Sequence, residues 1–167
     1  MHIPILISVL IFTVGLIALL AYFEKKKTNQ FISRGNAIKR DNSFYRDRYI
    51  FITSIGDFAA ISNAIDRNIL NEMKITFEPN VENGWIRFQN SILGGSFVAA
   101  LQSNEAQGER YLYHFQLLSW TDVQNGTTRQ DVLGANILLT AIEKAFITLD
   151  PNTGVERTKG EFKTKLF

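Results

Sequence analysis

Positions 3 to 23 carry no charged residue and are nearly all aliphatic or aromatic, and the run stops abruptly at Glu24-Lys25-Lys26-Lys27. Those 21 positions, at 1.5 Å per helical residue, span roughly the 30 Å of a bilayer's hydrocarbon. A secretory signal would need a basic start, a shorter apolar stretch and a small-x-small cleavage site. Only Met1 and His2 precede the run, and Leu19 stands where a small residue is wanted between Ala18 and Ala21. A buried core helix would keep a polar face, and Ser8, Thr13 and Gly15 are too few and too mild to make one. The pattern predicts a transmembrane anchor over residues 1–23, with Tyr22 and Phe23 at headgroup depth.

Beyond the anchor the pattern changes repeatedly. Residues 24–48 mix basic, polar and scattered apolar positions and read as a juxtamembrane stalk, helical with the anchor as far as Gly35. Tyr49–Thr53 is a short β-prone run. Asp57 suits a helix N-cap, and Phe58, Ile61, Ile65 and Ile69 follow at helical spacing, with Ser62, Asp66 and Arg67 facing away. From Met73 the period becomes two: Met73, Ile75 and Phe77 alternate with Lys74, Thr76 and Glu78 up to Pro79. Turn signals at Asn83-Gly84 and Gly94-Gly95, and the polar loop Ser103–Glu109, separate three further strands: Trp85–Gln89, Ser96–Gln102 and Arg110–Trp120. Thr127 and Gln130 resemble a capping box opening a helix from Thr128 to Leu149, stopped by Asp150-Pro151-Asn152-Thr153-Gly154. Phe162–Phe167 reads as a marginal strand or a disordered basic tail.

A helix, a four-stranded antiparallel meander and a second helix make an α+β domain, with the helices on one face of the sheet. The expected division is 1–23 anchor, 24–48 basic stalk, 49–155 globular domain and 156–167 basic C-terminal tail.

Charge gives the arrangement a direction. Residues 24–50 hold eight bases against three acids, residues 51–150 six against eleven, and residues 151–167 four against two. Basic residues after the anchor and none before it predict an outside N-terminus and a cytoplasmic domain in a single-pass cell-membrane protein. Lys25, Lys26 and Lys27 are the expected contacts with the membrane surface. The acidic body disfavours nucleic acid. The absence of cysteine excludes disulfides and thiolate chemistry. Asn125-Gly126-Thr127 matches a glycosylation sequon but reads better as a polar turn.

No motif commits to catalysis, and no catalytic residue, metal site or cofactor is expected. His114 lies on the fourth strand of the meander without a serine, threonine or acid placed to complete a relay. Its ordinary reading is a sheet histidine. The acids at 78, 82, 105 and 109 are loop acids, not a carboxylate pair in a cleft. Leu93-Gly94-Gly95-Ser96 lacks the lysine and the following helix of a phosphate loop.

Surplus apolar surface is the more suggestive feature. Trp85, Leu112, Leu118 and Trp120, with Val98 and Ala100, alternate out of phase with Ile86, Phe88, Phe115 and Leu117, on the sheet face that helices should leave open. The terminal helix is apolar nearly all round, with a narrow polar stripe of Asn136, Thr140, Glu143 and Lys144. It is either a well-covered core helix or a partner surface. These features predict a binding or assembly module that meets a protein partner or a second copy. A tethered carrier of apolar small molecules or lipid is the alternative, and a hydrolase using His114 comes third.

Overall fold

The computed structural model describes residues 3–41, 43–92, 95–104, 106–122 and 129–159, with backbone alone at 3–6, 91–92, 95–96, 120–122 and 129–131. Helix α1, Ile3–Ser33, runs unbroken for 31 residues, about 46 Å. It ends in a turn at Gly35, whose φ of +70° suits a residue without a Cβ. Asn36 and Ala37 both donate backbone bonds to the carbonyl of Phe31, which closes the end of the helix. A 3-10 turn, Phe44–Arg46, leads into β1, Asp47–Thr53. Two short helices follow, α2 (Phe58–Ala64) and α3 (Arg67–Glu72). Then come β2 (Ile75–Asn80), β3 (Trp85–Ile92), β4 (Gly95–Ser103) and β5 (Tyr111–Asp122), α4 (Arg129–Leu149) and β6 (Gly154–Lys159).

The architecture is α+β, with one antiparallel sheet of six strands in the order β2-β3-β4-β5-β1-β6. The four expected strands are present as consecutive neighbours, and the expectation of a four-stranded sheet is corrected at its far edge. There the β-prone run before the meander pairs with β5, matching Phe51 with Tyr113, and β6 then pairs with β1. Short-range pattern identifies a strand but not its partner, and these pairings join segments some sixty to a hundred residues apart. The tail beyond Lys159, the Gly94 turn and the capping box at Thr127 lie outside the described residues.

The core lies between the sheet and the helices. Tyr49, Phe51, Ile75, Ile86, Phe88, Phe97, Ala99, Leu101, Tyr113 and Phe115 alternate onto the face that α4 covers, and all are buried. Phe146 of α4 stacks on Phe51 with ring centroids 4.4 Å apart, and Tyr113 stacks on Phe58 at 5.7 Å. Each such pair contributes about 0.5–1.5 kcal/mol beyond its buried area. Phe58, Ile61, Ile65 and Ile69 all point inward as expected, but one helix has become two. The Asp66 carboxylate accepts from Asn68 N–H at 2.9 Å and caps a second helix. Mid-helix Asp competes for backbone in this way. Ser62, expected to face away, is buried.

Candidate functional site

The polar stripe of α4 is the centre of the construction. Asn136, Thr140, Glu143 and Lys144 share one helical face, and the segment following α1 lies along it. Asn136 Nδ2 donates to the Ile38 carbonyl at 2.8 Å. The Arg40 guanidinium reaches Asn136 Oδ1 at 3.1 Å and Thr140 Oγ1 at 3.4 Å, and pairs with Glu143. Lys144 Nζ reaches Asn36 Oδ1 at 3.5 Å. The Arg40 side chain is only 9% exposed, so its charge is held by this pairing and not by water. Removing one partner of a buried pair leaves the other uncompensated, at about 3–5 kcal/mol. Phe31, Ala37 and Phe44 anchor the same segment by burial. The stalk is therefore a strap clamped to α4, and α1 enters the domain through a fixed joint.

A second joint ties the strap to the sheet edge. Arg157 on β6 pairs with both Asp41 and Asp47, and its guanidinium bonds Ser43 Oγ at 3.2 Å. The Arg157 contact and the Ser43 hydroxyl hold the Asp41 carboxyl below its usual range, and the Asp41 bond in turn raises Arg157. At the opposite end of the sheet, Asp150 accepts from Ser54 N–H and Thr53 Oγ1, each at 2.8 Å, and from Asn152 N–H at 2.9 Å. These donors, the Ser54 N–H first, lower its pKa and fix the turn between α4 and β6. The sequence showed the α4 stripe but not its function, because the partner segment lies about a hundred residues earlier.

The sheet face away from α4 carries most of the expected interface residues. Trp85 and Leu112 are half-buried there, and Leu118 is 50% exposed. A β-bulge falls between Val98 and Ala99, where β5 spends one residue more than β4. Ser119 then pairs with Val98, and Trp120 with Phe97. The Trp120 side chain lies outside the described residues. Of the expected grouping, Trp85, Leu112 and Leu118 have described side chains, with Ile50, Ile52 and Val98 half-buried beside them. Polar residues interrupt the patch: Arg48 Nε donates to Gln116 Oε1 at 3.1 Å, and His114 is paired in register with Ile50 and Gln102.

Burial, and then the charge of Arg48, lower the pKa of His114 and favour the neutral imidazole. No group of three or more metal-ligating side chains occurs among the described residues. Tyr113 donates its hydroxyl to the Ile55 carbonyl at 2.8 Å, and burial pushes its pKa up to about 12. Lys25, Lys26 and Lys27 are exposed on α1. The basic collar is partly committed elsewhere: Arg40 is inside the clamp, and Arg34 lies 3.8 Å from Glu72. Comparison with protein-family models, with curated proteins and with solved structures finds no match.

Proposed function

We propose that this chain is a single-pass membrane protein whose α+β domain is a binding or assembly module held rigidly at the cytoplasmic surface. The observation that carries the reading is the division of α1. No residue of its most apolar eighteen-residue stretch is buried, whereas its far end is built into the domain through Phe31 and the clamped strap. An unburied apolar helix of this length needs a non-aqueous environment. The Val132–Leu149 stretch of α4 also has the length and composition to cross a membrane, but 67% of it is buried inside the domain. With the stripe of α4 occupied by the strap, the open sheet face around Trp85, Leu112 and Leu118 is the surface left for a protein partner or a second copy.

The test has two parts. Intact mass of the membrane-extracted protein distinguishes a retained anchor from a cleaved signal, and loss of the first twenty-odd residues overturns the reading. Crosslinking in mild detergent should then capture a partner or dimer that Trp85→Ala with Leu118→Ser weakens, by about 2 kcal/mol if Trp85 is an anchor, while the melting temperature barely moves. Unchanged association in the folded variant refutes the open face as the interface.

A further inference from the structure

The break between α2 and α3 leaves a cavity beside it. Ile65 and Asp66 are extended, with ψ of 123° and 100°, so the helix axis shifts there. Ala64 and Ile69 then stand on two sides of a space of 210 Å³, which Asn36 borders from the turn behind α1. Helix α4 supplies the remaining wall from one face, with Ala141 and Ala145 four residues apart beside Lys144. Ala64, Ala141 and Ala145 keep the space open, since a longer side chain at any of them would enter it. An engineered cavity of about 150 Å³ takes up benzene, and drug-sized ligands need about 300–1,000 Å³. A space of 210 Å³ therefore suits a molecule of roughly amino-acid size.

Two opposite charges border this cavity without meeting across it. Lys144 Nζ lies over the turn, 3.5 Å from Asn36 Oδ1 and 3.6 Å from where a Cβ on Gly35 would stand. Among the described residues that neutral amide is its hydrogen-bond partner, and it enters no ion pair. Asp66 accepts from Asn68 N–H with Oδ1 at 2.9 Å. Its second oxygen accepts no bond, and the side chain enters no ion pair, among the described residues. A carboxylate in the cavity would gain Lys144 but face Asp66, and an amine would gain Asp66 but face Lys144. A molecule carrying both groups, with an aliphatic body against Ala64, Ile69 and Ala145, answers each charge with its opposite. We infer that this cavity binds a small aliphatic zwitterion, a free branched-chain amino acid, with its carboxylate on Lys144 and its ammonium on Asp66. Such a ligand touches the turn behind α1, α3 and α4 at once, so its binding stiffens the joint between the long helix and the domain. The site is separate from the sheet face around Trp85 and Leu118 and does not depend on α1 crossing a membrane.

The full-length protein in detergent micelles is titrated with L-leucine and followed by calorimetry. Saturable binding is expected. Isocaproate, which is leucine without its amine, and isopentylamine, which is leucine without its carboxylate, should each bind at least about tenfold more weakly. Lys144→Gln keeps a donor for Asn36, and Asp66→Asn keeps a good helix cap, so both variants should fold as the parent does. Each should weaken leucine binding by about tenfold, the loss of one charge-assisted hydrogen bond. Ala64→Leu, at a half-buried position, should fill the space and abolish binding while the melting temperature holds or rises. Absence of saturable binding overturns the inference, as does equal binding of either single-charge analogue. Leucine binding that Lys144→Gln and Asp66→Asn both leave unchanged also overturns it, since the ligand then sits elsewhere.

Discussion

At the scale of single residues, Arg40 and Asn90 show opposite solutions to polar burial. Arg40 gives up water and is met by three side chains of α4. Arg40→Ala should therefore cost about 3–5 kcal/mol in denaturant unfolding, because Glu143 is left unanswered. The double variant Arg40→Met with Glu143→Leu should recover most of that loss, and recovery is the measurement that separates charge from shape. Asn90 lies on β3 between Ile75 and Phe97, wholly buried, and neither atom of its amide has a partner among the described residues. A Cβ at Gly134 of α4 would come within 3.0 Å of its Nδ2, so no room remains on that side for a compensating group. An unmet buried amide costs about 1–3 kcal/mol. Asn90→Leu, nearly the same shape, should raise stability by about that much, as read from thermal unfolding. A fall in stability would mean that the amide is satisfied in solution.

At the scale of elements, the pH response follows from which groups the folded elements hold. His114 on β5 has its pKa lowered from 6.5, and Asp41 and Asp150 have theirs lowered from 3.8. In each case the unfolded chain binds more protons, so stability is present above the ordinary value and is lost progressively as pH falls from there to the lower folded value. Unfolding free energy should decline in two stages on acidification, first below about pH 6.5 through His114 and again below about pH 4 through the two aspartates. His114→Gln should remove the first stage and leave the second, a comparison that denaturant titrations at pH 7, 5.5 and 3.5 make directly. The bulge in β5 is the other decision made by an element. It shifts the backbone register of β5 against β4 by one position beyond Leu117, and no periodicity in the strand announces it, because both sides of the slip alternate correctly. The cap at Asp66 was legible as chemistry but read as a solvent-facing helix position, since capping becomes necessary only once the chain bends to keep Ile65 and Ile69 inside.

At the scale of the whole molecule, the docked strap makes the orientation of the domain part of the fold. If the basic flank sets the topology, a cysteine at Asn104 should resist an impermeant thiol reagent in intact cells and react after lysis; labelling in intact cells would reverse the assignment. The apolar run, the strand and helix periods, the cap at Asp57 and the α+β class were all readable from the chain, because each depends on residues within a few turns or one hairpin. The sixth strand, the place of β1 inside the sheet, the bulge in β5 and the purpose of the α4 stripe were not. Each is settled by contacts between segments far apart in sequence, where many partners satisfy the same local pattern and only packing selects one. Arg40 shows the difference most plainly. Its sequence neighbours make it one more charge in a basic collar, and only the arrival of Asn136, Thr140 and Glu143 makes it the buried joint between the helix and its domain.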